Sequence, residues 1–199
     1  NILKSVDFKK SFEEFSTQAQ KAKNMIDRYD ALLALREYDA NKKRDLLLKI
    51  FTKETFNQMK TEIVSQLSKD RNNASIEFLK TALHDKDFLV RRSVVDNLEE
   101  IPESILPDVE NLLTDSSYYT IENTLRKLYK LHPEKKAKYF ELAGNTRGIN
   151  NNVRIALLEL ESKDATGNTA SNFQKELVKY TSNQYEFRTR VKAMEALER

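Results

Sequence analysis

The sequence predicts an all-α fold built from about six stacked helix pairs. Three observations favour it: a pattern that recurs along the chain, a shortage of turn-forming residues, and apolar residues interspersed with many charges. Only three Gly and three Pro occur in 199 residues, while 33% of residues are charged and 39% are hydrophobic. A β-sandwich or a Rossmann-like fold needs more turn residues than this, so we expect an α-α superhelix, or solenoid.

The recurring pattern is a polar turn followed by a Val/Arg-type pair and then apolar residues. Its anchors are spaced 32, 31, 30, 32 and 37 residues apart, at Asp27, Met59, Val90, Thr120, Asn152 and Thr189. A leucine follows each anchor by eight residues, at Leu35, Leu67, Leu98, Leu128, Leu160 and Leu197. The fifth copy keeps this offset only with Asn152, rather than Val153, as its anchor. Such a period is typical of two-helix repeats.

Apolar periodicity and cap residues predict the helices in order. The first pair runs from a capping box at Ser11-Phe12-Glu13-Glu14 to about residue 23, and then over 26–38. The second pair is predicted at 42–51 and 55–67, with another capping box at Thr55-Phe56-Asn57-Gln58. The remaining pairs are predicted at 74–83 with 88–100, 105–113 with 118–131, 133–142 with 153–160, and 170–180 with 185–197.

Proline, glycine and the chain start indicate the connections. Pro102 is expected to end one helix or begin the next turn, and Pro133 to be the first residue of a helix. Loops are predicted at 144–152 and 162–168. The first eight residues alternate weakly in hydrophobicity and are predicted to be extended.

The third copy carries the pattern most clearly, as Leu83-His84-Asp85-Lys86-Asp87-Phe88-Leu89-Val90-Arg91-Arg92-Ser93-Val94-Val95. We expect the turn aspartates to accept backbone N–H groups, Val90 to pack inward, and Arg91 to reach back along the stack toward turn carboxylates. This pattern resembles the HEAT repeat consensus. The Val-Arg pair returns at Val153-Arg154, but other copies are more degenerate, so the array is HEAT-like.

No catalytic, cofactor-binding or metal-ligating residue is predicted. The two histidines, His84 and His132, are expected at helix ends, and the sequence has no H-E-x-x-H, no G-x-S-x-G and no glycine-rich phosphate loop. Cysteine is absent, which excludes disulfides and thiolate chemistry and leaves the compartment unindicated. No apolar run approaches the length of a membrane span.

Two sets of residues are candidate binding surfaces. The first would be a basic ridge, formed by the cations that recur in the second helices: Arg91-Arg92, Arg126-Lys127 and Arg188 with Arg190. Interleaved acids (Asp96, Glu99, Glu122) favour bridges between neighbouring turns instead, so no nucleic-acid partner is expected. The aromatic residues Tyr118, Tyr119, Tyr180, Tyr185 and Phe187 either line a groove or, more commonly for such residues, fill the helix–helix core.

The opening stretch carries a more specific pattern. Ile2-Leu3-Lys4-Ser5-Val6-Asp7-Phe8-Lys9-Lys10-Ser11 runs into Gln18-Ala19-Gln20-Lys21-Ala22 and then Asp27-Arg28-Tyr29-Asp30-Ala31-Leu32. It resembles the junction in zinc aminopeptidases of the aminopeptidase N (gluzincin) family, where a β-sandwich ends and a helical domain begins. The residue-level resemblance covers about residues 2–35.

This resemblance implies that residues 1–8 are the tail of a β-sandwich and that 9–199 form a HEAT-like C-terminal domain, truncated at its end. The domain would be non-catalytic, covering the catalytic domain of the same parent chain and restricting access of peptide substrates. Zinc would be held by the parent enzyme, with no ligand in this chain. Two alternatives stay open: a stand-alone HEAT-like protein-interaction scaffold, and a HEAT-like protein that handles alkylated DNA bases.

Overall fold

A computed structural model describes residues 10–199, and all regular secondary structure in that range is helical. The twelve α-helices are α1 (Phe12–Lys21), α2 (Met25–Ala34), α3 (Ala40–Lys53), α4 (Asn57–Leu67), α5 (Asn73–Leu83), α6 (Phe88–Asn97), α7 (Leu106–Asn111), α8 (Tyr118–Leu131), α9 (Lys136–Gly144), α10 (Asn152–Asp164), α11 (Gly167–Tyr180) and α12 (Phe187–Glu198). Short 3-10 turns occupy Leu35–Glu37, Leu112–Thr114, Pro133–Lys135 and Ile149–Asn151. The predicted all-α class is therefore confirmed for these residues. The extended segment and β-sandwich tail predicted at 1–8 lie outside them.

The chain divides into two compact units, with the boundary between Ala82 and Leu83. In unit 1, α1 packs on α2 and α3 on α4, while α2 also contacts α4. In unit 2, α7 packs on α8, α9 on α10, and α11 on α12. We call the second helix of each sequential pair a second helix. Those of unit 2 contact one another in order, α6 with α8, α8 with α10, and α10 with α12. Sequential pairing of helices thus produces a layer of second helices within each unit.

The repeat anchors identify the buried positions of the second helices. Five of the six anchors are at most 2% exposed, and only Asp27 is exposed. Asp27 lies in the first turn of α2, where a carboxylate is favoured by the helix dipole. The leucines eight residues later are buried in the first five copies, whereas Leu197 is 39% exposed. The positions that recur in the sequence are therefore mostly buried positions of the second helices.

One of the two predicted capping boxes is confirmed. The Glu14 N–H donates to Ser11 Oγ at 3.2 Å, and the Ser11 N–H donates to Glu14 Oε2 at 2.7 Å. The box predicted at Thr55 is wrong, because α4 is preceded by Phe56, whose side chain accepts nothing. Glu54 supplies the acceptor instead: its Oε1 receives the N–H groups of Thr55 and Phe56 at 2.9 and 3.1 Å.

Several helix ends differ from the prediction. Helix α6 stops at Asn97, three residues early, because Leu98 adopts an extended backbone while remaining buried. Pro102 begins a turn, its carbonyl accepting the N–H groups of Ile105 and Leu106 at 3.0 and 3.1 Å. The loop predicted at 162–168 is wrong, since α10 continues to Asp164 and only two residues separate it from α11.

Within residues 10–199, no helix has both the length and the apolar content required to cross a bilayer.

Candidate functional site

An exposed bulky apolar side chain stands at the beginning of every second helix. These residues lie one to three positions before the repeat anchors and are 43% to 68% exposed: Ile26, Phe56, Phe88, Tyr118, Ile149 and Phe187. We call them the apolar row. Isolated exposed apolar residues are ordinary, but recurrence within three residues before every anchor is not. Within unit 2 the helices α6, α8, α10 and α12 contact one another in order, so its four members follow one edge of the second-helix layer.

Helix geometry explains why these positions are exposed. Phe88, Tyr118 and Phe187 are the first residues of their helices, two positions before a buried anchor. Two residues correspond to a rotation of about 200° around an α-helix, so a buried anchor turns the first residue outward. The preceding cap residue fixes this start; Asp87 Oδ1, for example, accepts the Leu89 N–H at 2.8 Å. Geometry therefore accounts for the exposure of the row, but not for its apolar character.

The predicted aromatic set divides into two groups. Tyr180 and Tyr185 pack in the core of unit 2, with ring centroids 4.9 Å apart, as the core interpretation predicted. Tyr119 and Phe187 line a cavity, as the groove interpretation predicted, and Tyr118 is 46% exposed. Each interpretation is therefore right for part of the set.

A cavity of about 260 Å³ adjoins the end of the apolar row in unit 2. Helix α8 supplies Tyr119, the loop before α10 supplies Asn150, and α12 supplies Phe187, Arg188, Val191, Lys192 and Glu195. Lys192 Nζ lies 5.5 Å from the centroid of the Tyr119 ring, within the range of a cation–π contact. The cavity thus combines two exposed rings with cationic side chains.

A buried polar cluster holds α8, α10 and α12 together beside this cavity. Glu122, only 7% exposed, receives Lys192 Nζ at 2.7 and 3.0 Å and Asn152 Nδ2 at 2.8 Å. Asn152 Nδ2 also donates to the Tyr118 carbonyl at 3.1 Å. A buried carboxylate needs such partners because its desolvation is costly. The polar anchor Asn152 is therefore a hydrogen-bonding residue of the interior.

Gly148 is required in the loop that leads into this cluster. Its φ is +80°, a backbone conformation that favours glycine. A Cβ at this position would lie 2.2 Å from Asn152 Oδ1 and 2.9 Å from Val153 Cγ2. The loop therefore approaches α10 too closely to accept a side chain.

Part of the predicted basic ridge is neutralised inside unit 2. Arg126 Nη1 lies 2.9 Å from Glu159, a carboxylate that is 2% exposed and is also met by Lys163 at 3.3 Å. Lys127 Nζ donates to the Leu98 carbonyl at 2.7 Å, and burial lowers the pKa of Lys127. These cations serve the packing of the second helices, as the bridging interpretation predicted.

The arginine that follows the anchor bridges to a carboxylate of the next helix pair. Arg91 donates to both Asp115 oxygens at 2.6 and 2.8 Å, and Arg154 donates to both Glu176 oxygens at 2.8 and 2.6 Å. Arg28 lies 3.4 Å from Glu54 in the same manner. The predicted bridging is confirmed, but its predicted direction is wrong, because the carboxylates follow along the chain. The hydrogen bonds from Arg154 lower the pKa of Glu176, outweighing its burial.

Three arginines of the predicted basic ridge have no carboxylate partner among residues 10–199: Arg92, Arg188 and Arg190. The Arg92 guanidinium lies 5.9 Å from the Phe88 ring centroid, and that of Arg190 lies 5.8 Å from the Phe187 centroid. The Arg190 Nε is buried and lacks a hydrogen-bond acceptor. The unpaired part of the basic ridge thus adjoins two rings of the apolar row.

Both histidines lie at helix ends, as predicted. His84 Nε2 is 2.7 Å from Asp108 Oδ1, and His132, which follows α8, is 3.4 Å from Glu134. In the part of the chain that the structure describes, no three His, Cys, Asp or Glu residues are grouped to hold a metal ion.

Sequence reasoning missed the apolar row, although its signal is present in the sequence. A bulky apolar residue stands within three positions before all six anchors. The period that identifies the buried anchors therefore also identifies an exposed apolar residue shortly before each of them.

Comparison with known proteins gives a partial match. Residues 14–108 match the model of a family described as a family of unknown function, DUF5691. The matched segment runs from α1 into α7 and so includes most of unit 1. No curated protein matches the chain. The family description names no activity, and neither comparison links the chain to zinc aminopeptidases.

Proposed function

We propose that the chain is a HEAT-like protein-interaction module. Its partner would be a protein segment that carries apolar side chains together with carboxylates, bound along the apolar row of unit 2. The observation that carries this proposal is the coincidence of exposed rings and unpaired arginines at Phe88 with Arg92 and at Phe187 with Arg188 and Arg190.

The HEAT-like description is supported by the packing within each unit. Helices pack in sequential pairs, and second helices contact second helices. The arginine after the anchor joins one pair to the next in the first, third and fifth copies. Repeat proteins of this architecture commonly bind partners along a surface to which every repeat contributes.

Arg190 indicates the charge of the partner. It is the first arginine after its anchor, as are Arg28, Arg91 and Arg154, each of which meets a carboxylate. Arg190 meets none among the described residues, and its buried Nε has no acceptor. A buried donor without an acceptor costs about 1–3 kcal/mol, so a partner carboxylate that reaches this site would recover that free energy.

The apolar rings indicate the remainder of the partner. Aromatic residues and arginines are enriched among the residues that dominate protein interfaces, and a ring seated against a partner pocket often contributes 2 kcal/mol or more. Phe187 is 68% exposed and borders a cavity of about 260 Å³. A partner apolar side chain in this cavity would cover both the Phe187 and Tyr119 rings.

The test is selection of binding peptides from a random display library on the full chain. We expect enriched peptides that combine apolar residues with Asp or Glu. Phe187→Ala and Arg188→Gln should each weaken the best peptide at least tenfold. Val178→Ala, which truncates a 55% exposed apolar residue of α11 outside the row, should leave affinity within twofold. Peptides without acidic residues, or peptides that bind Phe187→Ala unchanged, would overturn the proposal.

The resemblance to aminopeptidases supports a second proposal, a non-catalytic domain of a zinc aminopeptidase. Its quoted residues form one local structure: Gln18 Nε2 donates to the Asp27 carbonyl at 2.7 Å, and Arg28 Nη1 donates to the Ala22 carbonyl at 3.2 Å. The test is the upstream reading frame, which should encode H-E-x-x-H followed by a Glu about twenty residues later. Zinc-dependent turnover by residues 1–199 alone would contradict it.

A further inference from the structure

Unit 1 contains a cavity of about 450 Å³ at the carboxyl ends of α1 and α3. Its polar lining includes Lys21, Arg28, Lys49, Lys53, Glu54 and Thr55. Four of the ten lining residues are cationic and one is a carboxylate. The lining therefore carries an excess of three positive charges.

The single carboxylate cannot neutralise the lysines, because its bonds are already used. Glu54 lies 3.4 Å from Arg28 and accepts the backbone N–H groups of Thr55 and Phe56 at 2.9 and 3.1 Å. Its side chain is only 7% exposed. The three lysines make no hydrogen bond or ion pair among the described residues. Three ammonium groups thus surround the cavity without a counter-charge.

The helix dipole explains two of these lysines but not the third. Lys21 and Lys53 lie in the last turns of α1 and α3, where a cation is favoured. Lys49 lies four residues before Lys53 and shares its face of α3. Like charges at this spacing destabilise a helix by about 0.2–0.5 kcal/mol unless a counter-ion joins them. The Lys49–Lys53 pair beside the cavity is the arrangement that a bound anion would stabilise.

We infer that this cavity binds a compact polyanion that carries two or more phosphoryl groups. Each ammonium group offers three donors and acts as a point charge, which suits phosphoryl oxygens. One carboxylate would leave most of the positive charge unneutralised, whereas a di- or triphosphate group would neutralise it. The same chemistry is offered by a free polyphosphate and by a multiply phosphorylated lipid headgroup.

The experiment is calorimetric titration of the full chain with inorganic pyrophosphate and tripolyphosphate. We expect one saturable site per chain, with tripolyphosphate the tighter ligand. Lys49→Gln with Lys53→Gln should weaken tripolyphosphate binding at least tenfold. The matched control is Lys175→Gln with Lys179→Gln, an exposed pair with the same spacing near the end of α11. This control should change the affinity by less than twofold.

Two further arms distinguish the sources of the phosphoryl groups. Vesicles containing phosphatidylinositol bisphosphate that bind the chain, with the same loss in the Lys49/Lys53 double variant, would assign the site to a headgroup. Binding of tripolyphosphate without vesicle binding would assign it to a free ligand. Absence of saturable binding to all of these probes would overturn the inference. Equal weakening in both double variants would also overturn it, because it would show a general charge effect.

Discussion

The lysines beside the cavities of units 1 and 2 are partnered in opposite ways. In unit 1, Lys21, Lys49 and Lys53 face a cavity without carboxylate partners. In unit 2, Lys192 beside the cavity is bound to the buried Glu122. Similar helix pairs therefore leave lysines without a carboxylate partner in one unit and pair a lysine with a buried carboxylate in the other. The formal net charge of the chain, +3, indicates neither arrangement.

The largest expected effect on stability concerns the ion pair between Glu122 and Lys192 in unit 2. Glu122→Ala removes the partner of Lys192, Arg126 and Asn152. We expect the free energy of unfolding to fall by about 3 kcal/mol, because breaking a buried ion pair leaves its partners uncompensated. Urea denaturation measures it, with the exposed Glu198→Ala as control, expected within about 0.5 kcal/mol. Equal effects of the two substitutions would mean that Glu122 does not fasten the helices.

A smaller effect is expected at the loop beside the same cavity. Gly148→Ala places a methyl group against Asn152 and Val153 at positive φ, and we expect a loss of about 2 kcal/mol. Gly144→Ala is the matched control, since nothing lies within 4 Å of its added Cβ. It should change stability by less than about 0.5 kcal/mol. Denaturant titration of both variants decides whether close approach together with the positive φ, rather than the loss of a glycine as such, causes the effect.

Unit 1 also contains an ion pair with little solvent exposure, between Arg44 and Asp70. Its contribution to stability can be tested through its dependence on pH. Burial raises the pKa of Asp70, but hydrogen bonds from Arg44, Ser75 and the Asn72 N–H outweigh it and leave the pKa below its ordinary value. The stabilisation is therefore complete above the unfolded-state pKa near 4 and is lost as pH falls through the lower folded-state value. Asp70→Asn should cost about 1 kcal/mol at pH 7.

The same variant should show a smaller difference in stability between pH 7 and pH 3 than the unmodified chain. Denaturant titrations at the two pH values provide the measurement. An unchanged pH difference would assign the acid sensitivity to other carboxylates, such as Glu176.

The smallest effect is expected at the open cations of unit 1. Lys49→Gln removes a side chain without an internal partner and relieves its repulsion from Lys53. We expect stability to stay within about 0.5 kcal/mol, with any change in the stabilising direction at low salt. Thermal denaturation at low and high salt measures it. A loss above 1 kcal/mol would show that Lys49 has a structural role and would remove the contrast between the units.

Features with local causes could be predicted from the sequence. Helix α8 begins and ends where predicted, at Tyr118 and Leu131, because its turn and its 3.6-residue periodicity are both encoded locally. The end of α6 could not be predicted in this way, because Leu98 is buried although it lies after the last helical residue, Asn97. The apolar periodicity therefore continues beyond the helix.

Features that depend on distant partners could not be predicted. Asn152 is buried because Glu122, thirty residues earlier, accepts its amide, and Arg91 meets Asp115 of the next pair. The cluster of lysines around the unit 1 cavity likewise depends on how α1 and α3 approach each other. Of the candidate sites, the exposed row was visible in the sequence, whereas both cavities required the packing.

The apolar row has a consequence for the alignment of a partner. Repeated apolar side chains alone would let a bound segment shift by one helix, about 8–10 Å, and meet nearly the same surface. The unpaired arginines interrupt that equivalence: Arg92 accompanies Phe88, Arg190 accompanies Phe187, and neither Tyr118 nor Ile149 has such a companion among the described residues. A partner whose acidic groups are spaced to reach both Arg92 and Arg190 would bind in one favoured register. Unit 2 would therefore select a partner by the separation of its acidic groups as well as by their charge.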